Sequence, residues 1–142
     1  MLHVQRTLTN KRLLNKKIGN LGESLAAQHY KTRGFSIIGR NYLKKYGEID
    51  LVARGTDNKV HFIEVKSVSY ETKYELDYAV THETWRPEEK VDDWKLHKIG
   101  LAVETWLAEH AYEGKWQIDI ATVRIVPREK YARIKIIDNV II

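Results

Sequence analysis

A predicted β-hairpin at residues 47–66 constrains the fold of this chain more than any other stretch. Residues 47–54 and 59–66 are rich in β-branched and apolar side chains, and the turn between them consists of Gly, Thr, Asp and Asn. Two such runs around a polar turn are typical of a hairpin. Residues 60–65 carry apolar side chains on both alternating faces, which predicts a strand that is covered on both sides.

The second strand of this hairpin also contains two charged residues, Glu64 and Lys66. Their side chains point to the same face because they are two positions apart. A buried charge without a partner is strongly destabilising, so the pair requires an explanation. One interpretation is a structural ion pair that also includes Asp50 on the neighbouring strand. The other is a metal site, in which two carboxylates bind a hard divalent cation and the ammonium orients or activates a water molecule.

The register of the hairpin decides whether Asp50 and Glu64 share a face. A three-residue loop at residues 56–58, which ends in a left-handed Asn58, places the two carboxylates directly opposite each other. A four-residue loop would instead set Asp50 opposite Ile63, with its side chain on the other face. We predict the three-residue loop. Two facing carboxylates repel each other, and a bound cation would relieve that repulsion.

A helix is predicted from Lys11 to about residue 33, after an N-terminal arm at residues 1–10 that shows no clear periodicity. Its apolar stripe recurs at helical steps and consists of Leu14, Ile18, Leu21 and Leu25. A second line of small residues, which would let the helix lie close to a sheet, consists of Gly19, Gly22 and Ala26. Glu23 lies beside that line. It is either a solvated helix carboxylate or a residue that reaches a functional site.

The rest of the chain alternates between strands and helices, apart from a long irregular segment at residues 67–90. The aromatic and charged residues of this segment fit either a substrate-binding flap or a partner interface. Residues 35–42 read as a strand, residues 88–110 as a helix, and residues 116–126 and 131–137 as two further strands. Asp119 is expected to be a structural hydrogen-bonding residue. The predicted order is helix, three strands, helix and two strands, which indicates an α/β fold.

Composition narrows the class of protein. The 142 residues are expected to form a single domain, 1–142. Cysteine is absent, which excludes disulfides and thiolate zinc sites, and the six histidines lack ligand spacing. No apolar run approaches the length of a membrane span and no signal-peptide pattern opens the chain, so we expect a cytoplasmic protein without membrane contact. The net charge of +5 is compatible with a polyanionic partner.

Several short motifs occur in a characteristic order along the chain. They are Gly22-Glu23, Gly34-Phe35, Arg40-Asn41-Tyr42, Gly47-Glu48-Ile49-Asp50-Leu51 and Phe62-Ile63-Glu64-Val65-Lys66, followed by Lys95, Lys98, Ala102, Trp106-Leu107 and Ile118-Asp119-Ile120. This set resembles the YraN-like family of small bacterial proteins, within the PD-(D/E)xK nuclease superfamily. Ile49 replaces the Pro of the superfamily name, as is usual in this branch. Val68 stands where the family commonly has a basic residue, so one expected phosphate contact lacks its residue.

The resemblance implies a restriction-endonuclease-like core, with a mixed central sheet flanked by helices, and a metal-dependent nuclease site. Asp50, Glu64 and the carbonyl of Val65 would hold Mg²⁺ or Mn²⁺. Lys66 would orient and help deprotonate the attacking water. Glu23 would position a second metal ion or that water.

Nucleic acid, and DNA in particular, is the expected partner. The basic residues expected near phosphates are Arg40, Lys44, Lys45, Lys95 and Lys98. A solvated loop, or a side chain extended along apolar surface, is an equally good interpretation of these residues. Two alternatives to a nuclease stay open: a non-catalytic nucleic-acid-binding module and a purely protein-binding domain. A homodimer is also open, since related resolvases are dimers and the apolar residues 140–142 fit either an interface or a tucked end.

Overall fold

The computed structural model describes residues 2–82 and 92–140, with side chains from residue 10 onward, and shows an α/β fold. The elements are α1 (Leu2–Thr32), β1 (Ser36–Lys44), β2 (Gly47–Arg54), β3 (Val60–Ser69), α2 (Lys73–His82), α3 (Asp93–Glu109), β4 (Trp116–Val126) and β5 (Tyr131–Ile137). Within these ranges the five strands form one sheet in the order β1-β2-β3-β4-β5, antiparallel except for the parallel pair β3–β4. The predicted mixed sheet flanked by helices is confirmed, and it is consistent with a restriction-endonuclease-like core.

The sheet separates two hydrophobic clusters. On one face α1 packs against strand residues of the sheet, and the buried members are Ile18, Ala26, Ala27, Tyr30, Leu51, Ala53, Ile63, Ala121, Val123 and Ile125. On the other face α3 supplies the cover, and the buried members are Ile49, Val52, Val60, Phe62, Ile99, Ala102, Val103, Trp106 and Ile118. The parallel pair β3–β4 requires a crossover, which α2 and α3 provide. Strand β3 is therefore apolar on both faces, as predicted, because helices cover both.

Helix α1 begins at Leu2, so the predicted start at Lys11 was wrong and the predicted arm at residues 1–10 is helical from Leu2 onward. Residues 2–10 contain neither Gly nor Pro. A helix that has already nucleated is extended by one hydrogen bond per residue, so weak periodicity alone does not end it. The prediction failed because it required an apolar stripe for the helix to continue.

The apolar stripe of α1 is only partly buried. Ile18 is buried, whereas Leu14 and Leu21 are 56% and 41% exposed. The side chains of residues 10–17 are all exposed, so the sheet does not cover this part of α1. An apolar side chain on a helix can stay exposed when the helix is longer than the sheet surface on which it packs.

The β2–β3 hairpin has the predicted register. Leu51 pairs with Ile63, and in continuation of this ladder Asp50 lies opposite Glu64. Asn58 ends the loop in the left-handed conformation, with φ of 62°. Local turn chemistry therefore determines which face the first carboxylate occupies, because a shift of one residue would have reversed it.

The segment at residues 67–90, predicted to be irregular, is partly regular. Strand β3 continues to Ser69, and α2 follows after a short turn. Thr72 caps α2, since its Oγ1 accepts a hydrogen bond from the backbone N–H of Glu75 (3.1 Å). A Thr followed three residues later by Glu is a sequence signal for a helix start, and the prediction overlooked it. Residues 83–91 lie outside the described residues, so the flap or interface role of this segment stays a prediction.

Helix α3 buries Ile99, Val103 and Trp106 against the sheet, and Leu96 and Leu107 are partly buried beside them. Its predicted start near residue 88 lies outside the described residues. Asp92 is its N-cap, and the carboxylate accepts a hydrogen bond from the backbone N–H of Lys95 (2.9 Å). In the part of the chain that the structure describes, no helix combines the length and the apolar character needed to cross a bilayer.

The C-terminal strand β5 is followed by a short tail that returns to the sheet. The backbone N–H of Val140 donates a hydrogen bond to the carbonyl of Ile118 (2.7 Å), and the Val140 side chain packs on the α3 side of the core. Val140 is therefore a tucked residue. Residues 141 and 142 lie outside the described residues, and the homodimer stays a prediction.

Candidate functional site

Strands β2 and β3 separate at one end, and the predicted site residues meet in this fork. Pairing between the two strands ends at Leu51 and Ile63. Beyond this point β2 remains paired with β1, whereas β3 remains paired with β4 up to Ser69. The side chain of Asp50 lies in the fork, where its Oδ2 accepts a hydrogen bond from the backbone N–H of Val65 (2.8 Å). A carboxylate thus takes the place of the carbonyl that an unbroken ladder would supply.

Glu64 is the second carboxylate of the fork and is only 5% exposed. Its carboxyl group lies near that of Asp50, close enough for the charge of Glu64 to raise the pKa of Asp50. Two lysines lie against Glu64 Oε1, Lys95 of α3 at 2.8 Å and Lys66 of β3 at 3.5 Å. The predicted shared face of Glu64 and Lys66 is confirmed by this contact. The two ammonium groups compensate for the burial of a carboxylate that would otherwise be unpaired.

Glu23 reaches the fork from α1 and lines the same cavity as Asp50, close enough for the two carboxyl groups to influence each other. The approach depends on Gly22. A Cβ atom at Gly22 would lie 1.7 Å from Ser67 Oγ, so only a residue without a side chain lets α1 lie this close to β3. The predicted role of Gly22 is confirmed, whereas Gly19 has no atom within 4 Å of an added Cβ and is not a close-approach position.

A cavity of about 530 Å³ opens at the fork. It is lined by Asn15, Ile18, Gly19, Glu23, Asp50, Glu64, Val65, Lys66, Ser67, Val68, Ser69 and Lys95. Side chains from α1, β2, β3 and α3 therefore converge on one space. The structure brings together all of the predicted catalytic and metal-binding residues, which are Glu23, Asp50, Glu64, Val65 and Lys66.

The two acidic groups beside Glu64 both resist ionisation. Burial and then the neighbouring carboxylate of Glu64 raise the pKa of Asp50 to about 8, although the hydrogen bond from Val65 acts in the opposite direction. Burial also raises the pKa of Glu23, and the carboxylates of Glu48 and Glu64 contribute to the rise. The fork therefore favours the uptake of positive charge, either as protons or as a cation.

The pKa values of the two lysines of the fork are shifted in opposite directions. Burial and the neighbouring ammonium of Lys95 lower the pKa of Lys66 below its usual value, although Glu64 acts against this. Burial would also lower the pKa of Lys95, but its contacts with Glu64 and Lys66 outweigh burial and raise it. Lys95 is thus the permanent counter-charge of Glu64, and Lys66 is the lysine that more readily gives up a proton.

The donor chemistry of the fork suits a hard divalent cation. Carboxylate and carbonyl oxygens are the preferred ligands of Mg²⁺ and Mn²⁺, and no histidine of the described part of the chain lines the cavity. Among the residues that the structure describes, no group of three or more His, Asp and Glu side chains is arranged to hold a metal ion. A cation would therefore draw on the carboxylates of Asp50 and Glu64 and on uncharged oxygens such as the Val65 carbonyl. Burial, and then repulsion from Glu64, raise the pKa of Asp50, and a bound cation would offset both effects.

Two of the predicted nucleic-acid-binding residues lie at the fork. Lys95 lines the cavity, and Arg40 is close enough to Glu23 for its charge to oppose the rise in the pKa of that carboxyl group. Val68 also lines the cavity. The position where the family commonly has a basic residue is thus at the site, and in this chain it supplies no charge.

The other three predicted nucleic-acid-binding residues do not line the cavity. Lys44 forms an ion pair with Glu109 at 2.7 Å. Lys98 places its Nζ 5.2 Å from the ring centre of Trp94. Lys45 is exposed in the turn between β1 and β2. The five basic residues therefore do not form one continuous patch around the fork.

The cavity also contains polar residues that the sequence prediction missed. Asn15 lies about two helical turns before Glu23 on α1, so helical spacing would have identified it once Glu23 was placed at a site. Ser67 and Ser69 follow Lys66 on the part of β3 that has left β2. Their access to the cavity results from the fork, which no local pattern signals.

Asp119 is confirmed as a structural hydrogen-bonding residue. Its carboxylate is 1% exposed. It accepts hydrogen bonds from Tyr30 Oη (2.9 Å), Gln117 Nε2 (2.8 Å) and the Asn139 N–H (3.1 Å), and His61 Nδ1 lies at 2.8 Å. All these groups come from elements that meet away from the fork, and none of them lines the cavity there.

Comparison with known proteins places the chain among bacterial relatives. The profile of the uncharacterised protein family UPF0102 matches residues 22–123. A UPF0102 protein of Campylobacter fetus subsp. fetus (strain 82-40) is 32% identical over 122 residues, which cover 86% of this chain and 91% of the relative. A UPF0102 protein of Campylobacter jejuni subsp. jejuni serotype O:23/36 (strain 81-176) is 35% identical over 106 residues, 75% of this chain and 82% of the relative. One from Corynebacterium efficiens is 33% identical over 112 residues, 79% of this chain and 81% of the relative. These matches confirm the resemblance to the YraN-like family.

Proposed function

The chain belongs to the uncharacterised protein family UPF0102, and we propose that it is a divalent-metal-dependent nuclease that hydrolyses phosphodiester bonds of DNA. The observation that carries this proposal is the contact between the Asp50 and Glu64 carboxyl groups beside the ammonium of Lys66. The order of the motifs extends the proposal to membership of the PD-(D/E)xK superfamily. The expected cytoplasmic location is part of the same proposal.

Asp50, Glu64 and the carbonyl of Val65 would hold Mg²⁺ or Mn²⁺. When bound, such a cation stabilises the charge that develops on a phosphate and acidifies a bound water. The two carboxylates come from different strands, and the Val65 N–H fixes one against the other. A backbone hydrogen bond thus restrains the Asp50 carboxylate, and the contacts with Lys95 and Lys66 restrain that of Glu64.

The side chains around these ligands have separate roles in the proposed reaction. Lys66 is held 3.5 Å from Glu64 and, because its pKa is lowered, more of it is the neutral amine that can accept a proton from the attacking water. Lys95 holds the Glu64 carboxylate in position through the 2.8 Å contact. Glu23, which lines the cavity beside Asp50, would orient the water or a second metal ion.

The proposal is tested with a cleavage assay on branched, nicked and single-stranded DNA in the presence of Mg²⁺ or Mn²⁺. We expect at least one of these substrates to be cleaved, and cleavage to be lost in Lys66→Ala, Asp50→Asn and Glu64→Gln. Lys98→Gln is the matched control, since Lys98 lies on α3 but does not line the cavity. Absence of cleavage on all three substrates, or full activity in Lys66→Ala, would count against catalysis.

A non-catalytic nucleic-acid-binding module is the second candidate, and one observation favours it. Lys95 and Lys66 both contact Glu64, so the buried charge is already compensated without a metal ion. This arrangement matches the structural ion-pair interpretation of the sequence.

Calorimetric titration with Mn²⁺ separates the two candidates. Saturable binding that is lost in Asp50→Asn and in Glu64→Gln supports the nuclease. No detectable heat of binding, together with DNA affinity in the same preparation, supports the module. DNA affinity that does not change with salt concentration favours a protein-binding domain, because phosphate contacts release counterions.

A further inference from the structure

The net positive charge of the chain is confined to its first 22 residues. The chain has 24 Lys and Arg residues and 19 Asp and Glu residues. Residues 1–22 contain five of the basic residues and none of the acidic ones, so residues 23–142 contain 19 of each and are formally neutral. The boundary lies at Glu23, which is the α1 residue that reaches the fork. The excess positive charge that could attract a polyanion therefore lies in the first half of α1.

The basic extension is defined as residues 2–17 of α1, and its described side chains, from residue 10 onward, are exposed. Its described basic residues are all exposed, and these are Lys11, Arg12, Lys16 and Lys17. Among the described residues, none of the four forms an ion pair with an acidic side chain. Four exposed cations without acidic ion-pair partners create a positive potential that attracts a polyanion.

Two of these basic residues, Arg12 and Lys16, lie on the same face of α1 as Glu23. A helix turns by about 100° per residue, so Arg12 and Lys16 lie within about 20° of the direction in which Glu23 projects. At about 1.5 Å of rise per residue, Lys16 is about 10 Å and Arg12 about 16 Å from Glu23 along the helix axis. Asn15 and Gly19, which lie in the same part of the helix, line the cavity. One helix face therefore runs without interruption from the fork to the basic extension.

We propose that the basic extension binds the sugar-phosphate backbone of a nucleic acid whose cleaved or bound segment lies in the fork. Arg12 and Lys16 contact phosphates on the cavity side, and Lys11 and Lys17 strengthen the field on the flanks. The axial distances correspond to phosphates about three and about five nucleotides from the fork, at about 3.4 Å of axis per nucleotide of one strand. Nucleic acid as the partner rests on the proposed function. The assignment of the binding surface rests on the charge distribution and on the helix face.

The test is a fluorescence-anisotropy titration of labelled duplex and single-stranded DNA with the full chain, in EDTA so that no cleavage occurs. The variant Arg12→Gln/Lys16→Gln is compared with Lys31→Gln/Lys115→Gln, which removes the same charge from exposed positions outside the extension. We expect the first variant to bind duplex DNA about tenfold more weakly, with a salt dependence that is shallower by about 0.9 for each phosphate that it no longer neutralises. We expect the control variant to bind like the wild type. Helical content and thermal unfolding of both variants check that the fold is retained.

The outcomes separate this inference from the proposed nuclease activity. Equal binding by the two variants, or no DNA binding by the wild type, overturns the inference even if the wild type cleaves DNA. Selective loss of binding in Arg12→Gln/Lys16→Gln supports it even if no cleavage is found. Vesicles of anionic phospholipid are titrated in parallel. If they, and not DNA, distinguish the two variants, then the extension binds a membrane surface and the nucleic-acid assignment is wrong.

Discussion

The backbone N–H of Val65 donates a hydrogen bond to the carboxylate of Asp50 at 2.8 Å, across the point where β2 and β3 part. Val65 stands between Glu64 and Lys66 in the chain, so this one bond sets the position of both residues relative to Asp50. The bond exists only because the strands have separated and left the Val65 N–H without a carbonyl partner on β2. The separation of two strands thus creates the candidate site.

Substitution of Asp50 by Asn is expected to abolish stabilisation by Mn²⁺. The amide keeps an oxygen for the Val65 N–H and cannot ionise, whereas ionisation of the buried Asp50 carboxyl is unfavourable, so the metal-free variant should be at least as stable as the wild type. With Mn²⁺ at about 100 times its Kd, the wild type should gain about 2.7 kcal/mol and the variant nothing. Thermal unfolding in EDTA measures the metal-free stability of each protein, and thermal unfolding in Mn²⁺ measures the gain on metal binding. Glu104→Gln, at an exposed carboxylate of α3, should behave as the wild type, and an equal gain in Asp50→Asn would contradict the proposed ligand.

Substitution of Lys95 by Gln is expected to lower the cleavage rate by about tenfold or more, the usual effect of removing a group that positions a metal ligand. Lys95 contacts Glu64 Oε1 at 2.8 Å, and without it that carboxylate keeps only the longer contact to Lys66. Lys98→Gln, one helical turn later, should retain nearly full activity. Initial rates at saturating DNA report the difference. Similar reductions in both variants would show that Lys95 acts only through the general charge of α3.

Replacement of Gly22 by Ala is expected to destabilise the protein by about 1–3 kcal/mol, the range for adding a methyl group to a packed contact. The new Cβ would lie 1.7 Å from Ser67 Oγ and 2.8 Å from Ser67 Cβ, so α1 must move away from β3. Gly19→Ala is the matched control, because an added Cβ there meets no atom within 4 Å. It should raise stability by up to about 1 kcal/mol. Urea unfolding measures both, and partial rescue of Gly22→Ala by Ser67→Gly would identify the contact.

Substitution of Asp119 by Asn is expected to cost about 1–3 kcal/mol at neutral pH, because donors of the network then face an amide donor. Burial would raise the pKa of Asp119, but the hydrogen bonds from His61, Gln117 and the Asn139 N–H outweigh it, and the pKa is lowered. A lowered folded-state pKa stabilises the protein above the unfolded value of about 3.9, and the stabilisation is lost as the pH falls through the folded-state pKa.

The measurement for this network is urea unfolding of wild type and Asp119→Asn at neutral and acidic pH. The difference in unfolding free energy should be largest near neutrality and should narrow as the pH falls below about 4. Asp138→Asn, at an exposed residue, serves as the control. A difference that does not change with pH would show that the carboxylate charge of Asp119 is irrelevant to stability.

Local patterns were sufficient for much of the candidate site. The alternation of residues 60–65 predicted a strand that is covered on both faces, and the loop chemistry around Asn58 predicted the register that places Asp50 opposite Glu64. The burial of this strand and the register of the hairpin both depend on residues close in sequence. Because side chains alternate between the two faces of a strand, both could be predicted from the sequence. The same reasoning missed α2, although Thr72 and Glu75 carried its start signal.

The sequence by itself therefore determined the order of most elements, the hairpin register and the shared face of Glu64 and Lys66. Only the tertiary structure decided that β2 and β3 part beyond Leu51, that Glu23 and Lys95 reach the opening from different helices, and that Leu14 and Leu21 stay exposed. The physical reason is that these features depend on where elements far apart in the chain meet and end. The periodicity of a sequence indicates which face of a helix or strand is apolar. Which other element packs against that face depends on the tertiary structure.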